Sequence, residues 1–172
     1  MDTEAAPAAP AARGAPGAPG APGDVPIPAL LRGARGSYGA TIAARLAEAG
    51  FEDLPRNGPF VLGGMAHQGG SAVEMIKGLG VSRQAASQLI DTLVLRGYLT
   101  REVNRADRRR MDVELTDRGR AAAEVVRGAI GQVDRQLAAM ISPAELAGLR
   151  AGLAALAAVQ ERTRRDRSPS EF

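Results

Sequence analysis

The chain has 172 residues, room for one domain with tails, and carries 22 basic against 19 acidic residues for a net charge of +3. It has no cysteine and one histidine, which excludes disulfides, thiolate metal sites, thiol redox sensing and a multi-histidine metal site within one chain. No stretch offers the roughly 20 apolar residues of a membrane-spanning helix, and the start lacks a signal peptide's basic region, so a cytoplasmic protein with no membrane contact is expected.

Residues 1–24 are dominated by the low-complexity run APAAPAARGAPGAPGAPG and are expected to form a disordered Ala/Pro/Gly-rich tail. Residues 26–50 read as a helix with an apolar stripe of Ile27, Leu30, Leu31, Ala34, Tyr38, Ile42 and Leu46. Gly33, Gly36 and Gly39 weaken it by about 1 kcal/mol each relative to alanine, and call for another helix close to its backbone. Phe60 to His67 reads as a short buried helix built on Phe60, Val61, Leu62 and Met65. Ser71 and Glu74 make an S-A-V-E capping box for the next short helix, through Lys77, and Gly78-Leu79-Gly80 is a turn.

The following helix opens at Ser82, a good N-cap. Ala86, Leu89, Ile90 and Leu93 fall on one face, Arg83, Gln84, Ser87 and Gln88 on the other, and Gly97 is a natural stop. After Gly97 the period changes to two. Leu99, Arg101 and Val103 alternate with Thr100 and Glu102, and Met111, Val113 and Leu115 alternate with Asp112 and Glu114. Between them lies N-R-A-D-R-R-R, residues 104–110, a polar loop with four arginines. A short helix with a polar reading face, then an arginine-tipped hairpin, is the layout of a winged helix-turn-helix.

Thr116 caps a long helix to about Ile141, marked by Val126, Ile130, Val133, Leu137 and Met140. Ser142-Pro143-Ala144-Glu145 combines an N-cap, a proline at the first helical position and a glutamate that closes the box. The last helix carries Leu146, Leu149, Leu153 and Leu156 at heptad spacing, and residues 166–172 are expected to fray. The fold class is therefore mainly α with a small β-hairpin wing. Its domain spans 25–165, with a DNA-binding lobe at about 57–116 and dimerisation helices at about 26–50 and 117–165. The long stripes exceed what one thin lobe covers, which points to a two-fold homodimer. The plainer alternative is a monomer whose three long helices pack only on each other.

Charge sharpens the reading of the central stretch. From Val81 to Arg110 there are seven arginines against Asp91, Glu102 and Asp107, a local balance of +4. Such a stripe suits a polyanion partner, the plainer alternative being a solvated charged surface. Gln84 and Gln88, four apart, share one helix face and each matches adenine N6 and N7. Arg83 suits guanine O6 and N7 or a phosphate, Ser87 admits close approach, and the helix N-terminus at Ser82 presents N–H groups toward phosphate. Arg105, Arg108 and Arg110 suit phosphate contacts that set register. Arg96 and Arg101 suit phosphate contacts or pairing with nearby acids.

The run S-R-Q-A-A-S-Q-L-I-D-T-L-x-x-R-G-Y-L, then D-R-R-R-x-x-x-x-L-T-D-R-G, resembles the MarR family of bacterial transcriptional regulators over about residues 26 to 165. The resemblance implies a homodimer whose first and last helices form the interface. It also implies a recognition helix in the major groove and a wing arginine in the adjacent minor groove. Asp107 and Arg109 occupy the family's Asp-x-Arg positions, so Arg109 is expected to insert and Asp107 to orient it or pin the hairpin. Gln88 stands where many relatives carry arginine or lysine, and the wing lacks a proline often found near Arg105 or Ala106. Two such lobes imply a palindromic operator in double-stranded DNA with half-sites about one helical turn apart. The resemblance further implies a small aromatic or lipophilic effector held between the dimer helices and the lobe. The candidates for it are Tyr38, Phe51 and His67, with Phe60 and Met65 read rather as core. His67 suits capping its own helix, a ligand hydrogen bond, or neither.

The expected function is therefore a ligand-responsive dimeric regulator, most often a repressor. An enzyme is not expected: no nucleophile–base pair or metal cluster is visible, and GAPGAPGAPG lies outside any strand–turn–helix setting for a phosphate loop. No cofactor is expected either. The alternative is a winged-helix protein-interaction module without DNA binding.

Overall fold

Local capping chemistry sets where the helices begin and end in the computed structural model, which describes residues 24–68, 72–77, 81–103 and 111–166. In chain order the elements are α1 (Ile27–Glu48), α2 (Gly58–Gln68), α3 (Ala72–Lys77), α4 (Arg83–Leu95), β1 (Leu99–Val103), β2 (Met111–Leu115), α5 (Asp117–Met140) and α6 (Pro143–Asp166). Ser82 Oγ accepts the Ala85 amide at 3.2 Å, and Thr116 Oγ1 accepts the Gly119 amide at 3.0 Å. Both halves of the box at α6 are formed. Ser142 Oγ accepts the Glu145 amide at 3.3 Å, and Glu145 Oε2 accepts the Ser142 amide at 2.8 Å. α4 stops at Gly97, whose φ of +71° turns the chain so that the Tyr98 amide donates to the Leu93 carbonyl and the Gly97 amide to Val94, both at 2.9 Å. The expected Ser71–Glu74 box, the turn at 78–80 and most of both tails lie outside the described residues and side chains.

The chain divides into two units, Met1–Gly36 and Ser37–Phe172. In the first, described from Asp24 onward, α1 begins behind Pro26, whose carbonyl accepts the amides of Ala29 at 2.8 Å and Leu30 at 3.2 Å. Its Ile27 and Leu30 are exposed.

The second unit holds the core. α2 packs on α5 and α3, α4 packs on α3 and β1, and the hairpin leans on α2 and α5. The buried side chains include Leu46 of α1, Val61, Leu62 and Met65 of α2, Ile76 of α3, Ile90 and Leu93 of α4, Tyr98 before β1, Leu99 of β1, and Ala122, Ala123 and Val126 of α5. Each large one contributes about 1.5–3 kcal/mol by leaving water. The hairpin is antiparallel, pairing Leu99 with Leu115, Arg101 with Val113 and Val103 with Met111. That register puts Leu99, Val113 and Leu115 on the face that meets the core.

One packing expectation is corrected. Phe60 is 52% exposed rather than buried, because α2 turns the arc of Val61, Leu62 and Met65 toward its neighbours and Phe60 falls off that arc. The α5 face that meets the lobe is made of Gly119, Ala122, Ala123, Val126 and Ala129, whereas Ile130 and Met140 are exposed. At Gly39 an added Cβ meets nothing within 4 Å among the described residues, so the helix called for beside its backbone is not supplied by them. On α6, Leu149, Leu153, Leu156 and Val159 are all exposed. Among the described residues no helix is long and apolar enough to cross a membrane.

Candidate nucleic-acid interface

The geometry of α4 follows from its two faces. Ile90 and Leu93 anchor it in the core, with Ala86 and Leu89 packed partly against the same cluster. This turns Arg83, Gln84, Ser87 and Gln88 outward, and all four are exposed. Ser82 adopts φ −64° and ψ 158° and caps the helix, leaving the first-turn amides at the same end as Arg83 and Gln84. Among the described residues no ion pair engages Arg83. Three guanine- or adenine-matching side chains, Arg83, Gln84 and Gln88, and a helix N-terminus thus share one exposed surface, free of the core.

The two flexible-looking arginines near this surface are structural. Arg101 of β1 pairs with Asp91 of α4 and so ties the hairpin to the helix while neutralising an acid beside Gln88. Arg96, which closes α4, donates to the backbone carbonyl of Asp53 in the loop after α1. The wing-tip residues Arg105, Asp107, Arg108, Arg109 and Arg110 lie outside the described residues. The strands that carry them are in place. Their outer face pairs Glu102 with Asp112 and Thr100 with Glu114.

Below the hairpin lies a polar hub that local sequence patterns do not show. Tyr98 has no exposed surface, and its hydroxyl donates to Asp53 Oδ1 at 2.5 Å. Arg118, in the first turn of α5, donates to the same carboxylate at 2.9 Å and to the Tyr98 hydroxyl at 3.2 Å. Its guanidinium sits 4.6 Å from the centroid of the Tyr98 ring, within cation–π range. The Tyr98 hydroxyl, with Arg118 and Arg96 behind it, holds the Asp53 carboxyl below the usual carboxylate range. Burial, reinforced by the bond to Asp53, pushes the Tyr98 phenol up. The hub has faint sequence signals. A tyrosine at a core position needs a partner for its hydroxyl. A basic residue in the first turn of a helix opposes the helix dipole and is there for another reason.

The candidate effector residues are not gathered in one place. The Tyr38 hydroxyl donates to Asp134 of α5 at 2.5 Å, and this bond, with burial, raises its pKa. Phe51 packs its ring 6.2 Å from that of Tyr98, at 54°. His67 is exposed near the end of α2. A groove of about 630 Å³ runs between the C-terminal half of α1 and α5, lined by residues including Arg45, Glu48, Glu124, Gln132 and Arg135, and by none of these three.

Residues 53–110, which hold α2 to α4 and β1, match the model of the MarR family. Among solved structures the chain is similar to apo wild-type MarR from E. coli, at 25% identity and a TM-score of 0.55, over 77% of this chain and 96% of that one. It is also similar to S. aureus MepR in a DNA complex, at 19% identity and a TM-score of 0.63, over 79% of this chain and 99% of that one. A third likeness is to S. aureus MepR bound to ethidium bromide, at 20% identity and a TM-score of 0.51, over 80% and 99% of the two chains. No curated protein sequence matches the chain. With an exposed helix face, a two-stranded wing and this match over residues 53–110, the chain has a winged helix-turn-helix lobe that matches the MarR family of transcriptional regulators.

Proposed function

We propose that the protein is a homodimeric, sequence-specific DNA-binding repressor that reads a palindromic operator and is released by a small aromatic or lipophilic effector. The observation that carries DNA reading is the exposed face of α4, where Arg83, Gln84, Ser87 and Gln88 stand beside the capped N-terminus at Ser82. In this reading Gln84 and Gln88 meet base edges in the major groove, with Arg83 on guanine or phosphate. Arg109, oriented by Asp107, enters the minor groove, while Arg105, Arg108 and Arg110 hold phosphates. The lobe at about 57–116 does the reading, and the helices at about 26–50 and 117–165 join two copies. The row of exposed leucines on α6 supports that division. The MepR–DNA complex supports it by likeness of fold, and MepR with ethidium bromide does the same for an effector. Tyr38, Phe51 and His67 are the residues offered for effector contact.

Selection of duplexes from a random pool tests this reading. The enriched sites are expected to be palindromic, with half-site centres about one helical turn, or ~35 Å, apart. Arg109→Ala is expected to weaken every duplex, whereas Gln88→Ala loses discrimination at one position per half-site by about 1–3 kcal/mol. Binding that survives both substitutions unchanged overturns the mapping. A chain that binds no duplex even at low salt is the interaction module instead.

A further inference from the structure

We propose that Asp53 is a positioning residue for DNA recognition: from the loop after α1, its backbone and carboxylate fix the end of α4, the entry to the hairpin and the first turn of α5 together, and so set the angle between reading helix and wing. The proposal rests on the DNA-binding reading above.

The three partners come from three elements. Arg96 closes α4 and donates to the Asp53 carbonyl. Tyr98 is the residue before β1, and Arg118 is the second residue of α5. Tyr98 and Arg118 both donate to Asp53 Oδ1, at 2.5 and 2.9 Å. The Tyr98 carbonyl in turn accepts the amide of Thr116, the α5 cap, at 3.1 Å, so the strand entry and the helix start move as one piece. Neutralising the carboxylate weakens the acceptor of a buried phenol and frees the arginine that stacks on it.

This hub tunes geometry rather than deciding whether the lobe folds. The lobe's core is supplied by residues such as Leu62, Ile76, Leu93 and Leu99, all essentially without exposed surface. The hub runs from the buried Tyr98 ring out to the rim, where the Asp53 and Arg118 side chains keep 44% and 45% of their surface exposed. A rim tie acts at the end of a lever. From Arg96 back to Arg83 the helix is ~20 Å long, so a tilt of ~3° at the hub moves the base-reading end by ~1 Å. That exceeds the ~0.5 Å tolerance within which a binding constellation works.

The test uses the full chain and two probes: a duplex enriched by the wild-type protein from a random pool, and an unselected random duplex. The readout is the ratio of the two affinities, with amide hydrogen exchange of the DNA-free chain at residues 96–100 and 117–120 alongside. Asp53→Asn and Tyr98→Phe are expected to lower the ratio by about tenfold, with faster exchange at both segments. Random-duplex affinity should stay within about twofold, since Tyr98→Phe leaves the charge unaltered and Asp53→Asn adds one positive charge. Asp53→Glu, which keeps the acceptor, should restore part of the ratio. Should Asp53→Asn fail to fold, Tyr98→Phe carries the test by removing a single hydroxyl. A folded variant that keeps the wild-type ratio overturns the proposal and leaves the DNA reading standing, as does an equal loss on both duplexes. A wild-type chain that binds neither duplex overturns the DNA reading and the proposal with it.

Discussion

The lobe and the last helix satisfy their side chains in opposite ways. In the lobe, Leu93, Leu99 and Tyr98 are almost wholly enclosed by residues of the same chain, and the Tyr98 hydroxyl has its acceptor at 2.5 Å. On α6, Leu149, Leu153 and Leu156 repeat at heptad spacing and each keeps 42–43% of its surface exposed. Both segments have apolar periodicity, so periodicity alone does not distinguish an internal core from a face that awaits another molecule. What distinguishes them is closure. The lobe's small residues let its helices approach closely, as at Gly63, where an added Cβ would stand 3.3 Å from a Val126 methyl, whereas the leucines of α6 stay partly exposed.

Breaking each region should therefore produce a different kind of failure. Leu93→Ala removes a side chain with no exposed surface and is expected to cost about 2–5 kcal/mol in urea unfolding, whatever the protein concentration. Leu153→Asp alters a half-exposed position and should change the unfolding of a dilute monomer by no more than about 0.5 kcal/mol. Its effect should appear instead in sedimentation, as a shift from dimer to monomer. Equal sedimentation of wild type and Leu153→Asp would mean that α6 does not join two copies through this face.

Two glycines of one helix sharpen the same contrast, at smaller amplitude. A Cβ on Gly119 would collide with the Tyr98 carbonyl, a backbone atom that cannot swing aside. Gly119→Ala is expected to destabilise by about 1–3 kcal/mol. At Gly128, on the same helix, an added Cβ meets nothing within 4 Å. Gly128→Ala is expected to stabilise by about 0.5–1 kcal/mol through helix propensity alone. Urea midpoints that move in the same direction for both would show that α5 is not seated against Tyr98 as described.

What could be read from the sequence was whatever neighbours along the chain decide. Ser82, Thr116 and Ser142 cap the helices assigned to them, Gly97 ends α4, and the period-two runs pair in the register that buries Leu99 and Leu115. The outward set on α4 was equally legible, because its four residues are complementary to Ile90 and Leu93 on a single helix. The lobe-facing side of α5 was hidden because it is built of alanines, in a chain where alanine is common everywhere and marks no stripe. Phe60 misled because a large aromatic beside a run of core residues looks buried until the helix is rotated against its neighbours. The Asp53 hub joins residues 45 and 65 positions apart, a separation at which no local pattern survives.

The smallest expected effect tests that hub through pH. The folded Asp53 carboxyl titrates below its ordinary value of 3.8, chiefly because the Tyr98 hydroxyl donates to it. A carboxyl depressed by folding contributes stability that is present above its unfolded value and lost as pH falls through the folded one. The Tyr98 phenol is raised above 10.0, chiefly by burial and then by its bond to Asp53, so its contribution is present below 10.0 and lost as pH rises through the folded value. Wild-type stability should therefore decline at both ends, below about pH 3.8 and above about pH 10.0, with these two groups supplying part of each limb. Asp53→Asn should shrink the acid limb without abolishing it, because Glu124 and Glu145 are also lowered, by Arg127 and by Ser142. Tyr98→Phe should shrink the alkaline limb and leave the part owed to Tyr38, whose phenol is raised by Asp134. Urea unfolding across both limbs separates these contributions. Limbs of wild-type size in both variants would mean that the carboxylate and the phenol do not share a proton in the folded lobe.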